Sequence, residues 1–251
     1  METTNFVYQE TYRVPGYECD PGGNLKPAGF FRLMTEAASV HAELLGAGFE
    51  MLRTRNLFWV HSRMKVQFLR FPRMGEAITL RTWPKTIQQK LFFIRDFELV
   101  DATGARLAGA TSAWLVIDAV SRRMVPSQSA SFNLPSLPER IGLEEPLERL
   151  GLARDGAERL RRTADYSALD PLGHVNNSRY VEWICDALPQ ERLTAGKLDW
   201  LQINYDHETR PGEEVCVKSN PVAADPGLWA LEGINQTDGL RAFEAAVHWK
   251  D

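Results

Sequence analysis

Cysteine is scarce in this sequence: Cys19, Cys185 and Cys216 are an odd set without C-x-x-C spacing. That argues against both a disulfide framework and a zinc site, and leaves reduced, mostly buried thiols. Long apolar runs are missing as well. Stretches such as Ala113 to Ile117 and Ala245 to Val247 fall far short of the roughly 18 residues that cross a bilayer, so no membrane span is expected. The N-terminus, Met1-Glu-Thr-Thr-Asn-Phe-Val-Tyr-Gln-Glu, has neither a basic leader nor an apolar core with a cleavage site, which points to the cytoplasm. Positive charge is not in excess either: a net charge of −4 offers no general attraction to phosphate backbones, and nucleic acid is not an expected partner. Basic residues do gather at Arg63, Lys65, Arg70, Arg73, Arg81 and Lys85. That cluster reads either as solvated strand-face charge or as a surface for an acidic protein. G-x-S-x-G, H-E-x-x-H, G-x-G-x-x-G and a phosphate loop are all absent.

What is present is repetition. With 251 residues and 44% apolar content, the chain can bury one large core or two ordinary ones. Asp20-Pro-Gly-Gly-Asn-Leu25 and Asp170-Pro-Leu-Gly-His-Val175 share Asp, Pro and Gly at an offset of 150 (170 − 20), and the same offset relates Phe30 to Tyr180, Met34 to Ile184 and Ala37 to Ala187. In the first copy Pro27 opens a helix whose apolar positions Phe30, Leu33, Met34, Ala37, His41 and Leu44 recur at helical spacing until Gly46. In the second, Tyr180, Trp183, Ile184, Ala187 and Leu188 form the same kind of face, ended by Pro189. Downstream, Met64, Val66, Phe68 and Gly75 match Leu201, Ile203, Tyr205 and Gly212 at an offset of 137 (201 − 64), an alternation that predicts antiparallel strands. Gly104, Arg106, Ala110 and Trp114 match Gly239, Arg241, Ala245 and Trp249 at 135 (239 − 104).

The expected fold class is therefore α+β: two tandem domains, each a long helix wrapped by an antiparallel sheet, joined side by side as a pseudo-dimer. The expected division is residues 1–125, a linker over 126–160 with helical periodicity around Leu147 to Leu160, and residues 161–251.

Residues kept in both copies read as structural, so chemistry is sought where the copies differ. Asn24 corresponds to His174, just before the second helix, and Phe71 corresponds to Glu208, read as lying on the strand before Pro211-Gly212. Period-two reading puts Gln202, Asn204, Asp206 and Glu208 on one polar face; solvent is the expectation for Gln202 and Asn204, whereas Glu208 replaces an apolar residue. Asp170 reads equally as a turn residue and as a partner of His174. Of Asn176 and Asn177, one is expected to cap the helix and the other to face substrate. A carboxylate acting as general base or nucleophile, an imidazole, and backbone N–H groups near Gly173 to Val175 holding an oxyanion would suit acyl transfer to water.

Asp170-Pro-Leu-Gly-His174-Val-Asn176-Asn177-Ser-Arg-Tyr180-Val-Glu-Trp resembles the second-half signature of the fatty acyl-ACP thioesterases, double hotdog-fold proteins, and the resemblance extends over nearly the whole chain. It implies Asp170, His174 and Glu208 as catalytic residues, Gly173, Asn176 and Asn177 as substrate-binding residues, and no metal or organic cofactor. It further implies an acidic acyl carrier protein as the partner that delivers substrate, and an acyl-chain pocket in the first half, under the Phe30 to Leu45 helix. Two positions depart from the family: Leu172 stands where an Asn precedes the His, and Thr209 stands where plant members carry a Cys. The implied reaction is hydrolysis of fatty acyl-ACP; acyl-CoA hydrolysis and non-catalytic acyl binding are the alternatives. Which carboxylate attacks, and whether two such chains form a homodimer, stay open.

Overall fold

The computed structural model describes residues 6–130, 132–151, 156–195 and 197–250. Readings that fall on 1–5 or 152–155, the first residues and the middle of the linker, lie outside these residues. The first half runs β1 (Tyr8–Arg13), α1 (Pro27–Leu44), α2 (Phe49–Arg53), β2 (Leu57–Phe68), β3 (Ala77–Gln88), β4 (Phe92–Asp101), β5 (Arg106–Asp118) and a short β6 (Met124–Val125). The second runs β7 (Ala157–Thr163), α3 (Asn177–Asp186), α4 (Gln190–Thr194), β8 (Leu198–Tyr205), β9 (Glu214–Val222), β10 (Asp225–Asn235) and β11 (Arg241–Trp249).

All the long strands lie in one sheet, ordered β1-β3-β4-β5-β2-β8-β11-β10-β9-β7, so the second half repeats the first in reverse across the β2–β8 seam. At the seam Met64 pairs with Ile203 and Val66 with Leu201. Met64 thus faces the repeat counterpart of Val66, Val66 that of Met64, and Lys65 between them its own counterpart Gln202, which is what two strands related by a two-fold axis must do. The same axis passes between the helices. Arg32 on α1 donates to Glu182 on α3 at 2.7 Å, and these two occupy equivalent repeat positions (182 − 32 = 150). Turn glycines repeat as well, Gly23 (φ 79) with Gly173 (φ 81) and Gly75 (φ 80) with Gly212 (φ 81), left-handed positions where a side chain would add strain. The α+β expectation holds.

α1 begins at Pro27, whose missing N–H suits the first turn, and lays Phe30, Phe31, Met34 and Ala37 onto the sheet. Leu44, expected on that buried face, is exposed where the helix ends. One core runs through both halves, with Phe30, Phe68 and Phe97 from the first and Ile203, Phe243 and Val247 from the second. Each such side chain contributes about 1.5–3 kcal/mol by leaving water. The two halves therefore share the core that stabilises each. All three cysteines are free thiols.

The segment between the halves corrects three sequence readings. Gln202 and Asn204 are not solvated: they are 6% and 3% exposed, because the linker lies across this face and Gln202 Nε2 donates to the Glu148 carbonyl at 2.6 Å. The linker also takes up the basic cluster, with Arg63 Nε donating to the Leu147 carbonyl at 3.1 Å and Lys65 paired with Glu145. Arg70 pairs with Glu76, Arg81 with Glu98 and Lys85 with Asp96, so most of these charges are matched locally instead of forming an open basic face. Finally, the periodicity around Leu147 to Leu160 forms no helix among the described residues. Its end, from Ala157, becomes β7, because pairing with the exposed edge of β9 satisfies backbone groups that the edge leaves open.

Candidate active site at the start of the second long helix

Local hydrogen bonds build the turn that carries His174. Asp170 N–H donates to the His174 carbonyl (2.9 Å), Gly173 N–H to the Asp170 carbonyl (3.0 Å), and Asp170 Oδ1 accepts from Leu172 N–H (2.9 Å). Val175 N–H then donates to the Thr209 carbonyl (2.9 Å), tethering the turn to the segment that follows β8. That tether sets Glu208 opposite His174. Asp170 Oδ2 lies 3.5 Å from His174 Nδ1, and Glu208 Oε2 lies 4.0 Å from His174 Nε2, so the imidazole stands between two carboxylates. Both separations are within ion-pair reach and longer than hydrogen bonds, as is common where catalytic contacts tighten only around substrate.

Glu208 is not on a strand, contrary to the expectation. β8 ends at Tyr205, and the N–H groups of Asp206 and His207 both point to the one carbonyl of Ala242, so regular pairing stops and the chain turns outward. Its counterpart Phe71 packs against Phe30 and Phe68 in the core. The Glu208 side chain, 36% exposed, sits at the rim between Arg122 (3.2 Å) and Arg210 (3.5 Å). Neither arginine was singled out from sequence. Arg122 belongs to the first half, and nothing in its local pattern signals a contact 86 residues away.

Asn176 is the helix cap: its Oδ1 accepts from Ser178 N–H (2.9 Å) and Ser178 Oγ (2.7 Å). Asn177 is the first residue of α3, and its carbonyl accepts a long 3.4 Å bond from Tyr205 Oη. The expected oxyanion donors need correction. Gly173 N–H is bonded to the Asp170 carbonyl and Val175 N–H to the Thr209 carbonyl, which leaves His174 of that stretch and the first turn of α3, at Asn177, as the places where a backbone donor is open. Leu172 is exposed on the outer side of the turn.

A cavity of about 350 Å³ lies in the first half, between the C-terminal part of α1 (Ala38, Ala42) and the strands carrying Trp59, Phe93 and Trp114. Among the described residues no helix is long and apolar enough to cross a membrane.

Comparison with known proteins bears on this arrangement. Residues 5–129 match the acyl-ACP thioesterase N-terminal domain and residues 154–251 the acyl-ACP thioesterase C-terminal domain. The oleoyl-acyl carrier protein thioesterase of Coriandrum sativum is 26% identical over 249 residues, covering 91% of this chain and 66% of its own length. The palmitoyl-acyl carrier protein thioesterase of Gossypium hirsutum is 29% identical over 235 residues, covering 87% and 55%. This chain thus spans just under two thirds of the first relative and about half of the other. Among solved structures, an acyl-ACP thioesterase from Bacteroides thetaiotaomicron superposes with a TM-score of 0.86 at 23% identity, over 98% of both chains. The 12:0-ACP thioesterase of Umbellularia californica superposes with 0.81 at 20% identity, over 100% and 99%. At these identities the likeness establishes the fold.

Proposed function

Because the chain belongs to the acyl-ACP thioesterase family, we propose that it hydrolyses fatty acyl thioesters of acyl carrier protein, releasing free fatty acid and the carrier thiol. The observation that carries this reading is the convergence of Asp170, His174 and Glu208 at the start of α3. Glu208 is the general base. Asp170 has one oxygen committed to the turn and the other facing the imidazole, whereas Glu208 stands at the open rim. Its carboxylate takes a proton from water as the water oxygen bonds to the thioester carbon; the C–S bond then breaks and the proton passes to the departing thiolate. His174 lies beside both carboxylates and orients water and thioester, while Asp170 fixes the ring. The first-turn N–H and the positive end of α3 at Asn177 stabilise the oxyanion, a contribution of about 3 kcal/mol for one well-placed donor.

The reading places the acyl chain in the first-half cavity, the catalytic groups in residues 161–251, and the protein in the cytoplasm with an acidic carrier as partner. Thiol release from acyl-ACP and acyl-CoA panels by wild type, Glu208→Ala and His174→Ala tests it. Turnover of acyl-ACP with both variants folded and reduced at least about a hundredfold is the expected result. Equal use of acyl-CoA would remove the carrier from the reading. An inert wild type, or variants matching it, would leave a non-catalytic acyl-binding protein.

A further inference from the structure

Arg95, on β4, forms part of the wall of the cavity beside α1, and it is 7% exposed. Its Nη1 donates to Thr82 Oγ1 (3.2 Å) and lies 2.9 Å from His41 Nδ1. A guanidinium only donates, so His41 must accept at Nδ1 and is neutral. Among the described residues no carboxylate pairs with Arg95. Burial pushes its pKa down to about 9, the mark of a cation that its surroundings do not compensate. Most other polar groups at the cavity already have partners: Trp59 Nε1 donates to the Ala47 carbonyl, Trp114 Nε1 to Ser112 Oγ, Ser39 Oγ to the Thr35 carbonyl and Ser136 Oγ to the Lys85 carbonyl, with the Thr86 hydroxyl the neutral group left over. Arg95 is the one charged group in a mostly apolar and aromatic lining.

Strand register says where that donor sits. β5 leads toward Arg122, which touches Glu208, and the cavity wall steps back along β5 from that end. Trp59 pairs with Val116, Phe93 with Trp114, Ile94 with Ala113, and Arg95 with Ser112. Arg95 is therefore on the wall tier farthest from the catalytic end, about 13 Å of strand beyond Trp59.

We propose that this cavity takes acyl chains that carry an oxygen acceptor at the end remote from the thioester, held by Arg95. The proposal rests on the hydrolase reading above. An apolar chain end would leave the remaining N–H groups of this guanidinium without an acceptor, whereas a hydroxyl, oxo or carboxylate oxygen supplies one. A hydroxyl gives one charge-assisted bond; a carboxylate also neutralises the charge.

Two measurements separate this proposal from the hydrolase reading. The first is quenching of tryptophan fluorescence, to which Trp59 and Trp114 contribute, by decanamide, ω-hydroxydecanamide and ω-carboxynonanamide, which needs no turnover. The second is kcat/KM on acyl carrier protein charged with the matching decanoyl, ω-hydroxydecanoyl and ω-carboxynonanoyl groups. Wild type is expected to bind and turn over at least one oxygenated chain about tenfold better than the plain one, the size of one hydrogen bond to a charged group. Which oxygenated probe wins separates neutral from anionic acceptors. Arg95→Met is expected to reverse the preference while the plain chain improves. A wild type that prefers plain decanamide overturns the proposal whether or not the enzyme turns over, and whether or not the variant folds. An oxygen preference that survives in folded Arg95→Met overturns Arg95 as its source. Absent turnover with intact amide preference would defeat the hydrolase reading alone.

Discussion

Replacing His61 with leucine should remove much of the stability that this protein loses on mild acidification. His61 is 4% exposed on β2, stacked on Trp114 with ring centroids 4.0 Å apart, and close to Tyr205 at 5.0 Å. Both ring nitrogens are shielded from water without a hydrogen bond. Burial pushes its pKa from 6.5 down to about 3; the Arg63 backbone opposes the shift but is not placed to bond either nitrogen. The folded-state value is depressed, so between 6.5 and about 3 the unfolded chain takes up a proton that the folded chain refuses. Stability from this residue is complete above pH 6.5 and is lost as pH falls through that window. Each unit corresponds to about 1.36 kcal/mol, which makes the full loss roughly 5 kcal/mol, a large part of the ~5–15 kcal/mol that holds a domain folded. Urea unfolding of wild type and His61→Leu, repeated from about pH 7 to about pH 4, reads the effect directly. The stability difference should grow in the variant's favour by about 1.4 kcal/mol per unit below pH 6.5. Parallel pH profiles would refute the reasoning, because they would mean that His61 is already charged or finds a proton acceptor in the folded state.

Two other perturbations test the seam and the site. Asn176→Ala deletes the α3 cap and should cost about 1 kcal/mol, lowering Tm by roughly 2–4 °C; an unchanged melt would mean that the cap does not anchor the helix. Glu182 sits at the two-fold axis, where burial alone would raise its pKa but hydrogen bonds from Arg179 and Arg32 outweigh it and hold the carboxyl below 4.5. Its stabilisation is therefore complete above about pH 4.5 and lost as pH falls through the lower folded-state value. Glu182→Gln should lower stability at neutral pH and flatten the unfolding profile below pH 4.5, and a variant as acid-sensitive as wild type would contradict that.

Much of the architecture was legible because duplication leaves equivalent residues in equivalent places: Pro27, the paired turn glycines and the alternating strands each predicted an element that is there. Environment was less legible. Gln202 and Asn204 alternate as a solvated face would, and only the linker, whose residues Leu147 and Glu148 offer bare carbonyls instead of a sequence pattern, makes them buried. Glu208 was found by its difference from Phe71, yet its surroundings were misjudged, since the shared carbonyl of Ala242 that ends the strand is a backbone event that side-chain periodicity does not record.

The two copies of the turn explain why the candidate chemistry belongs to one half. Both keep the aspartate and the left-handed glycine, so the backbone path needs no catalytic justification. In the first copy Asp20 Oδ1 accepts from the backbone N–H of Asn24, the position equivalent to His174. In the second, Asp170 Oδ1 accepts instead from Leu172, two residues along, and Oδ2 is free to face the imidazole. The carboxylate at 170 thus closes the turn and meets the histidine at once, where Asp20 only closes the turn. The two halves differ at few positions that matter here: a histidine stands where the first has Asn24's amide, and a carboxylate where the first has Phe71 packed on the core. Each half holds the share of the common core that the other needs, while the first half, with Asn24 in place of the histidine, holds the cavity beside α1.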